Sequence, residues 1–445
     1  MRDCGRHSQF TRRSLLFRGA GAAGFSLLNS HADAQNQALN VKPRGTAKSC
    51  VFINLAGAPS HLDTFAPKDG PWNLSDADLR QYAGGVVLSN KFWPNISRLA
   101  NDLCILRSVR SWEAAHERGQ YYIQTSHTLN PASSNDLPHI GAVCAKEKAG
   151  TGPVSPFVAV NAGAIQGSAI LGGKFSPLST TANRAGLSNL IHCCFGDPQT
   201  RLNQRLEFLD QLEAPLRKNP LSDEAANLQA YITSARGMVY QDSVVNAFKF
   251  SAADESRYGN TDFGRSLCVI RNLVKAKNGA VFLTTTLNGW DLHANMFDRG
   301  ARENFYIQSA TLDRALYEFV SDLRASGDLA STLIVVMGEF GRTPGVLNGR
   351  GGRDHWRDTL CAMMLGGGVG GGRVIGETDA EGAQIVSPGW SQDRPIYPED
   401  IVSTIYSALG INWTKTTTDT PSGRLFEYVP GAIQNLYQPI DEVFA

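Results

Sequence analysis

Thr332-Leu333-Ile334-Val335-Val336-Met337-Gly338-Glu339-Phe340-Gly341-Arg342-Thr343-Pro344 is the stretch on which the fold turns. Its first six residues are a short apolar, β-branched run of the kind a parallel sheet buries on both faces. The run stops at Gly338, so Glu339 falls at the carboxyl end of a central strand, where open α/β sheets carry ligand and catalytic groups. Upstream, Leu312, Ala315, Leu316, Phe319, Val320 and Leu323 recur at steps of three and four, which predicts a helix with one apolar face that stops near Gly327. Downstream comes Gly352-Arg353-Asp354-His355-Trp356. The glycines at 349, 351 and 352 predict a mobile loop that leaves the His355 imidazole free to approach Glu339. The alternative at these positions is a helix-capping glutamate and a structurally satisfied histidine.

The same rhythm extends outward. Ser49 to Leu55 is an apolar run ending in Ala56-Gly57-Ala58-Pro59-Ser60-His61-Leu62-Asp63-Thr64-Phe65, a loop that offers hydroxyl, imidazole and carboxylate groups directly after a strand. An Asp/Ser turn punctuated by Pro59 is the alternative reading of that loop. Further strands are expected at Leu103 to Leu106, Phe157 to Val160, Ala280 to Leu287 and Thr359 to Leu365. Helices are expected from about Ala114 to Gln124, over 300 to 326, and from Pro398 to Leu409, and a hairpin over Gly371 to Gly382. His127 and His139 lie in polar loop sequence and read as structural. Residues 163 to 260 change character, from Gly/Ser/Thr-rich sequence to helical patterns through Leu202, Leu206 and Leu209 and through Ala225, Leu228, Ile232 and Ala235. They read as a cap-like insertion in a single α/β domain covering 35 to 445. The strand after Ala280 closes on Asn288-Gly289-Trp290-Asp291-Leu292-His293. There Asp291 and His293, two residues apart in extended backbone, share a face and can hold one cation.

The chain has 445 residues, 42% of them hydrophobic, enough for a sizeable core, and a formal charge of +1. Nothing in that balance points to nucleic acid or an anionic surface. Thr11-Arg12-Arg13-Ser14-Leu15-Leu16, a Gly/Ala stretch from Gly19 to Leu28 and Ala32-Asp33-Ala34 stand in the order of a twin-arginine export signal, which predicts cleavage near residue 34, use of the twin-arginine translocase and a periplasmic or secreted protein. The remainder carries 37 basic and 39 acidic residues. No other run approaches the roughly 18 apolar residues of a membrane span. Of eight cysteines, Cys4 leaves with the signal. Cys50, Cys104 and Cys361 read as small buried hydrophobes. The compartment would allow a disulfide at Cys193 or Cys194.

Asp63, Asp291, His293, Glu339, Asp354 and His355 are therefore candidate metal ligands. Their hard oxygen and imidazole donors suit a divalent ion, zinc, manganese, magnesium, calcium or iron, and the absence of a thiolate motif argues against a structural zinc. Arg342 can fork onto an anionic phosphate or sulfate, and Ser60 or Thr64 is the candidate nucleophile. The motifs Ala58 to Phe65, Gly289 to His293, Gly338 to Pro344 and Gly352 to Trp356, followed by Gly376-Glu377-Thr378-Asp379, resemble the bacterial exported family called domain of unknown function fifteen-oh-one. The resemblance runs from about residue 48 onward. It implies an alkaline-phosphatase/sulfatase-like fold, a doubly wound, mostly parallel sheet with helices on both faces and metal bound at the carboxyl strand ends. Such folds place a nucleophile at a helix start, where this chain offers Ser111 and His116. Relatives commonly show an Asp-His pair where this chain reads Glu339-Phe340, so a single-metal site is one expectation. The expected function is an exported metal-dependent hydrolase of a phosphate or sulfate ester. The alternative is a non-catalytic member of the fold that binds a ligand or helps assemble an exported protein partner.

Overall fold

The computed structural model describes residues 38–148, 152–187, 241–418 and 423–444, with short pieces at 204–205, 207–212, 214–215 and 225. The export segment, Cys193, Cys194 and most of the helical pattern between 202 and 235 lie outside the described residues. The sheet strands are, in chain order, β1 (Ser49–Leu55), β2 (Cys104–Val109), β3 (Phe157–Val160), β4 (Leu178–Thr180), β5 (Phe282–Leu287), β6 (Thr332–Met337), β7 (Leu360–Leu365) and β8 (Arg373–Ile375). They form one eight-stranded sheet in the order β8-β2-β7-β6-β1-β5-β3-β4. Only β7 runs against its neighbours; every other pairing is parallel. The expected α/β class and mostly parallel sheet are what the structure shows. The helices used below are α1 (His116–Thr125), α2 (Ile140–Lys148), α3 (Asp262–Ala276), α4 (Phe305–Ser326) and α5 (Pro398–Ala408).

The two-residue period of the strands sorts the core into two layers. Val51, Ile53, Leu55, Ile334 and Val336 face α3 and α4, whereas Cys50, Phe52, Leu333, Val335 and Met337 face α2 and α5. Both faces of β1 and β6 are thus covered, which is why these strands are continuous apolar runs. α4 buries the predicted stripe of Leu312, Leu316, Phe319, Val320 and Leu323, each worth about 1.5–3 kcal/mol. Asn304 caps its start by accepting from the Ile307 N–H, and Gly327 ends it at φ 77°. Cys50, Cys104, Cys144, Cys268 and Cys361 are buried thiols.

Two segments differ from expectation. The stretch read as a cap contributes β4 to the sheet edge before leaving it. Residues 371–382 do not close on themselves; Arg373–Ile375 joins β2 as an edge strand, and Glu377–Thr378 pairs instead with Ile385–Ser387. No helix among the described residues is long and apolar enough to cross a membrane.

Candidate metal centre

Because β1 pairs with β5 and β6 in level register, Leu55 beside Leu287 and Asn54 beside Met337, the loops that follow leave the sheet at one height. The Trp290 N–H donates to the Ala56 carbonyl and ties two of these loops together. β2 brings α1, whose first residue is His116, to the same end. The lead-in to β7 brings His355, which pairs with Arg342 in a two-residue antiparallel ribbon.

There the Nε2 atoms of His116, His293 and His355 and the Oδ1 of Asp291 face one point. Asp291 Oδ1 lies 3.1 Å from His116 Nε2, 3.0 Å from His293 Nε2 and 3.7 Å from His355 Nε2, and the last two nitrogens are 3.0 Å apart. A ligand atom from each of the four residues lies within 4.8 Å of the others. Around a tetrahedral ion with bonds of about 2.0–2.1 Å, donor atoms are about 3.3 Å apart, a value that the four separations of 3.0 to 3.7 Å bracket.

Each imidazole is turned by an acceptor on its other nitrogen. His116 Nδ1 meets Glu339 Oε1 at 2.7 Å, His293 Nδ1 meets Asp354 Oδ1 at 2.7 Å, and His355 Nδ1 donates to the Ala114 carbonyl at 2.7 Å. With the ring protons held on Nδ1, all three Nε2 lone pairs point inward, the arrangement that orients histidine ligands in metal sites. The buried His116 Nε2 has no hydrogen-bond partner.

Glu339 is wholly buried, and its carboxylate accepts from the Gly57 N–H at 3.1 Å and the Ala58 N–H at 3.2 Å. Both donors sit in left-handed backbone, at φ 102° and 57°. A side chain at Gly57 would come within 2.5 Å of the Asp291 N, so only glycine fits. At Ala58 the conformation costs about 1–2 kcal/mol, offset by a satisfied buried carboxylate. The hydrogen bond from His116 to Glu339, aided by both carboxylate charges, raises the His116 pKa against the effect of burial. Burial works to raise the Asp291 carboxyl, but the Arg342 hydrogen bond and charge, with the imidazoles, outweigh it and leave it below the ordinary value. His355 is lowered, first by burial and then by the Arg342 charge, against its bond to Ala114.

Asp291, His293 and His355, read from sequence as ligands, meet in this cluster. Glu339 and Asp354 stand one step back and orient imidazoles. Asp63 is elsewhere: its Oδ2 takes the Arg353 Nε at 2.7 Å, with both side chains buried. The Thr64 hydroxyl donates to the Ser60 carbonyl at 2.7 Å, Ser60 Oγ accepts from the Asp63 N–H at 3.4 Å, and Ser111 Oγ accepts from the Glu113 N–H. None of these hydroxyls is hydrogen-bonded to the cluster. Arg342, expected to clamp an anionic substrate, is buried and commits its guanidinium inward: to the carbonyls of Ala58, Gly57 and Arg353, to Asp291 Oδ1 and toward His293 Nε2 at 3.2 Å. The carbonyls and Asp291 engage four of its five N–H donors, and the fifth faces the same His293 Nε2 that would serve a cation. The loop expected to be free is tied down as well. Asn348 bridges Asp354 and the His293 carbonyl, the Asn295 and Met296 N–H groups donate to Arg350 and Gly351, and Arg353 donates to Thr343 and Gly345. His116 as a fourth donor was not read from the sequence; its place at a helix start beyond a strand end was the available signal. His127 and His139 pack against Phe426 and Phe157, in structural positions.

No curated protein matches this sequence. Solved structures that resemble the chain include a phosphonate monoester hydrolase from Silicibacter pomeroyi, with 11% identity, 89% of this chain and 76% of that one covered, and a TM-score of 0.42. A sulfatase from Pseudoalteromonas sp. has 12% identity, coverage of 88% and 72%, and a TM-score of 0.37. Alkaline phosphatase from the Antarctic bacterium TAB5 has 12% identity, coverage of 83% and 99%, and a TM-score of 0.35. The family described as Protein of unknown function (DUF1501) matches residues 47–436, most of the chain, and the protein belongs to that family.

Proposed function

We propose that this protein is an exported, metal-dependent hydrolase of a phosphate or sulfate ester, built around one divalent cation held by His116, His293, His355 and Asp291. The observation that carries the reading is the convergence of three inward-facing Nε2 atoms on one carboxylate oxygen, each ring fixed by its own acceptor. Three imidazoles favour zinc, iron or manganese over magnesium and calcium, which prefer all-oxygen sets. When bound, such an ion polarises an ester oxygen and lowers the pKa of water toward ~7. Glu339, Asp354 and the Ala114 carbonyl hold the ring protons away from the centre. Arg342 pins Asp291 while leaving the solvent side of that carboxylate, 45% exposed, open to a substrate. The twin-arginine segment supports export.

Arg342, already engaged, and the hydroxyls of Ser60, Thr64 and Ser111, none of them hydrogen-bonded to the cluster, favour a second reading: a non-catalytic member of the fold that binds a ligand or assists an exported protein partner. Loading the metal-free chain with zinc, manganese or iron and assaying 4-nitrophenyl phosphate, 4-nitrophenyl sulfate and a phosphonate monoester separates the two. Hydrolysis that disappears in His293→Ala supports the first reading. Stoichiometric metal binding without hydrolysis of any ester supports the second.

A further inference from the structure

A groove of about 450 Å³ has His116 in its lining. One wall is α1, where His116, Gln120 and Gln124 fall four apart and form a stripe about 12 Å long at 1.5 Å per residue. The rest of the lining comes from the strand-end residues Asn54 of β1 and Thr286 of β5, from residues 162–166 and from Asn288. Its size lies within the range of small-molecule sites.

The groove's polar groups are held in place rather than scattered. Asn54 Nδ2 donates to Gln120 Oε1 at 2.6 Å, and Gln124 Oε1 accepts from the Gln166 N–H at 2.7 Å while its Nε2 donates to the Ala164 carbonyl at 3.3 Å. Thr286 donates to the Ala162 carbonyl at 2.9 Å. The return contact from Gln120 Nε2 to Asn54 is long, 3.5 Å, which leaves that amine free to favour a better acceptor. Asn288 is exposed at the rim. Charge is what this lining lacks. Among the described residues that line the groove there is no lysine or arginine, and the carboxylate present is Glu117. Beyond the cation site at the His116 end, a polyanionic body lying along the groove would meet Glu117 and no lysine or arginine, whereas a neutral body rich in hydroxyls finds amide donors, amide and carbonyl acceptors, and the Tyr121 ring and Ile165 for its apolar faces.

Resting on the reading of the cluster as an ester-cleaving metal centre, we propose that this groove binds the body of the substrate, a neutral, polyhydroxylated glycan that presents a single anionic ester to the metal. The test uses the full chain loaded with zinc, titrated calorimetrically with maltotriose, cellotriose, mannotriose and galactotriose, beside the 4-nitrophenyl ester assays. The expected result is saturable binding of at least one trisaccharide, weakened tenfold or more by Gln120→Ala or Gln124→Ala, with metal content at the wild-type level. Asn288→Ala, on the exposed rim, provides the same comparison without touching a helix. Hydrolysis of aryl esters combined with no trisaccharide binding, or with binding indifferent to all three substitutions, overturns the glycan assignment and leaves the hydrolase reading standing. Substitution-sensitive trisaccharide binding without any hydrolysis supports the groove and removes the hydrolase reading. Binding of ADP by the metal-free chain that is tighter than that of every trisaccharide and is weakened by Gln120→Ala or Gln124→Ala overturns the assignment.

Discussion

Replacing Glu339 by glutamine separates a ligand from the residue that orients a ligand. The carboxylate uses two oxygens for three donors: Oε1 serves Gly57 N–H and His116 Nδ1, and Oε2 serves Ala58 N–H. An amide offers one oxygen. The cheaper orientation keeps that oxygen on Gly57 and His116 and sets the amine against the Ala58 N–H, leaving that N–H and the amide's own buried N–H groups without acceptors. The stability cost is about 1–3 kcal/mol for each donor left unsatisfied. The imidazole keeps an acceptor but loses the carboxylate charge behind it, so metal affinity should fall by about tenfold, the low end of the range for such outer partners, or about 1.4 kcal/mol. His116→Ala, which removes a donor atom outright, should lose more. Zinc affinities of Glu339→Gln, His116→Ala and wild type, measured by chelator competition beside a urea unfolding curve for each, test the order. If Glu339→Gln abolishes metal binding while His116→Ala retains it, Glu339 is itself a ligand and His116 is not.

His355→Ala should lower metal affinity by about tenfold or more with the fold intact; wild-type metal content after identical purification would make His355 a structural residue. Asp63→Asn strips the charge from the buried Arg353 pair and should destabilise the protein by about 3–5 kcal/mol without changing metal stoichiometry, so a lost metal in a still-folded variant would return Asp63 to the ligand set. Burial lowers His61 to about 4 and His139 to about 3 from 6.5. Both are neutral when folded and protonate more readily when unfolded, so stability that is full above pH 6.5 should be lost as pH falls toward 4 and below. His61 alone accounts for up to about 3 kcal/mol; a urea midpoint that stays level from pH 7.5 to 4.5 would refute this. Arg12→Lys with Arg13→Lys should hold the protein in the cytoplasm on fractionation, and unchanged periplasmic yield would end the export reading.

β6 and α4 were legible because a doubly buried strand and a one-faced helix each leave their own period in the sequence. The loops after strand ends were legible for the reason that makes them useful: they interrupt apolar runs with carboxylates and imidazoles, and Asp291, His293 and His355 could be picked out there. Partner choice was not legible. Asp63 looks like a ligand until Arg353, 290 positions away, is seen to neutralise it. Glu339 looks like one until the backbone of Gly57 and Ala58, bent into left-handed conformations, supplies its N–H donors. Arg342 has the fork for an anionic substrate, yet the neighbouring loop carbonyls and Asp291 use it first. His116 is an isolated histidine opening a polar helix, and only the sheet order, which brings β2 within two strands of β6, shows where it points.

Anomalous diffraction from zinc-loaded crystals of this protein shows whether a single cation binds among His116, Asp291, His293 and His355. One anomalous peak should lie about 2.0–2.2 Å from the three Nε2 atoms and from an Asp291 carboxylate oxygen, with Glu339 and Asp354 outside the bonding distance. A peak bonded to Asp63 or Glu339, or no peak from protein that binds zinc in solution, would contradict it.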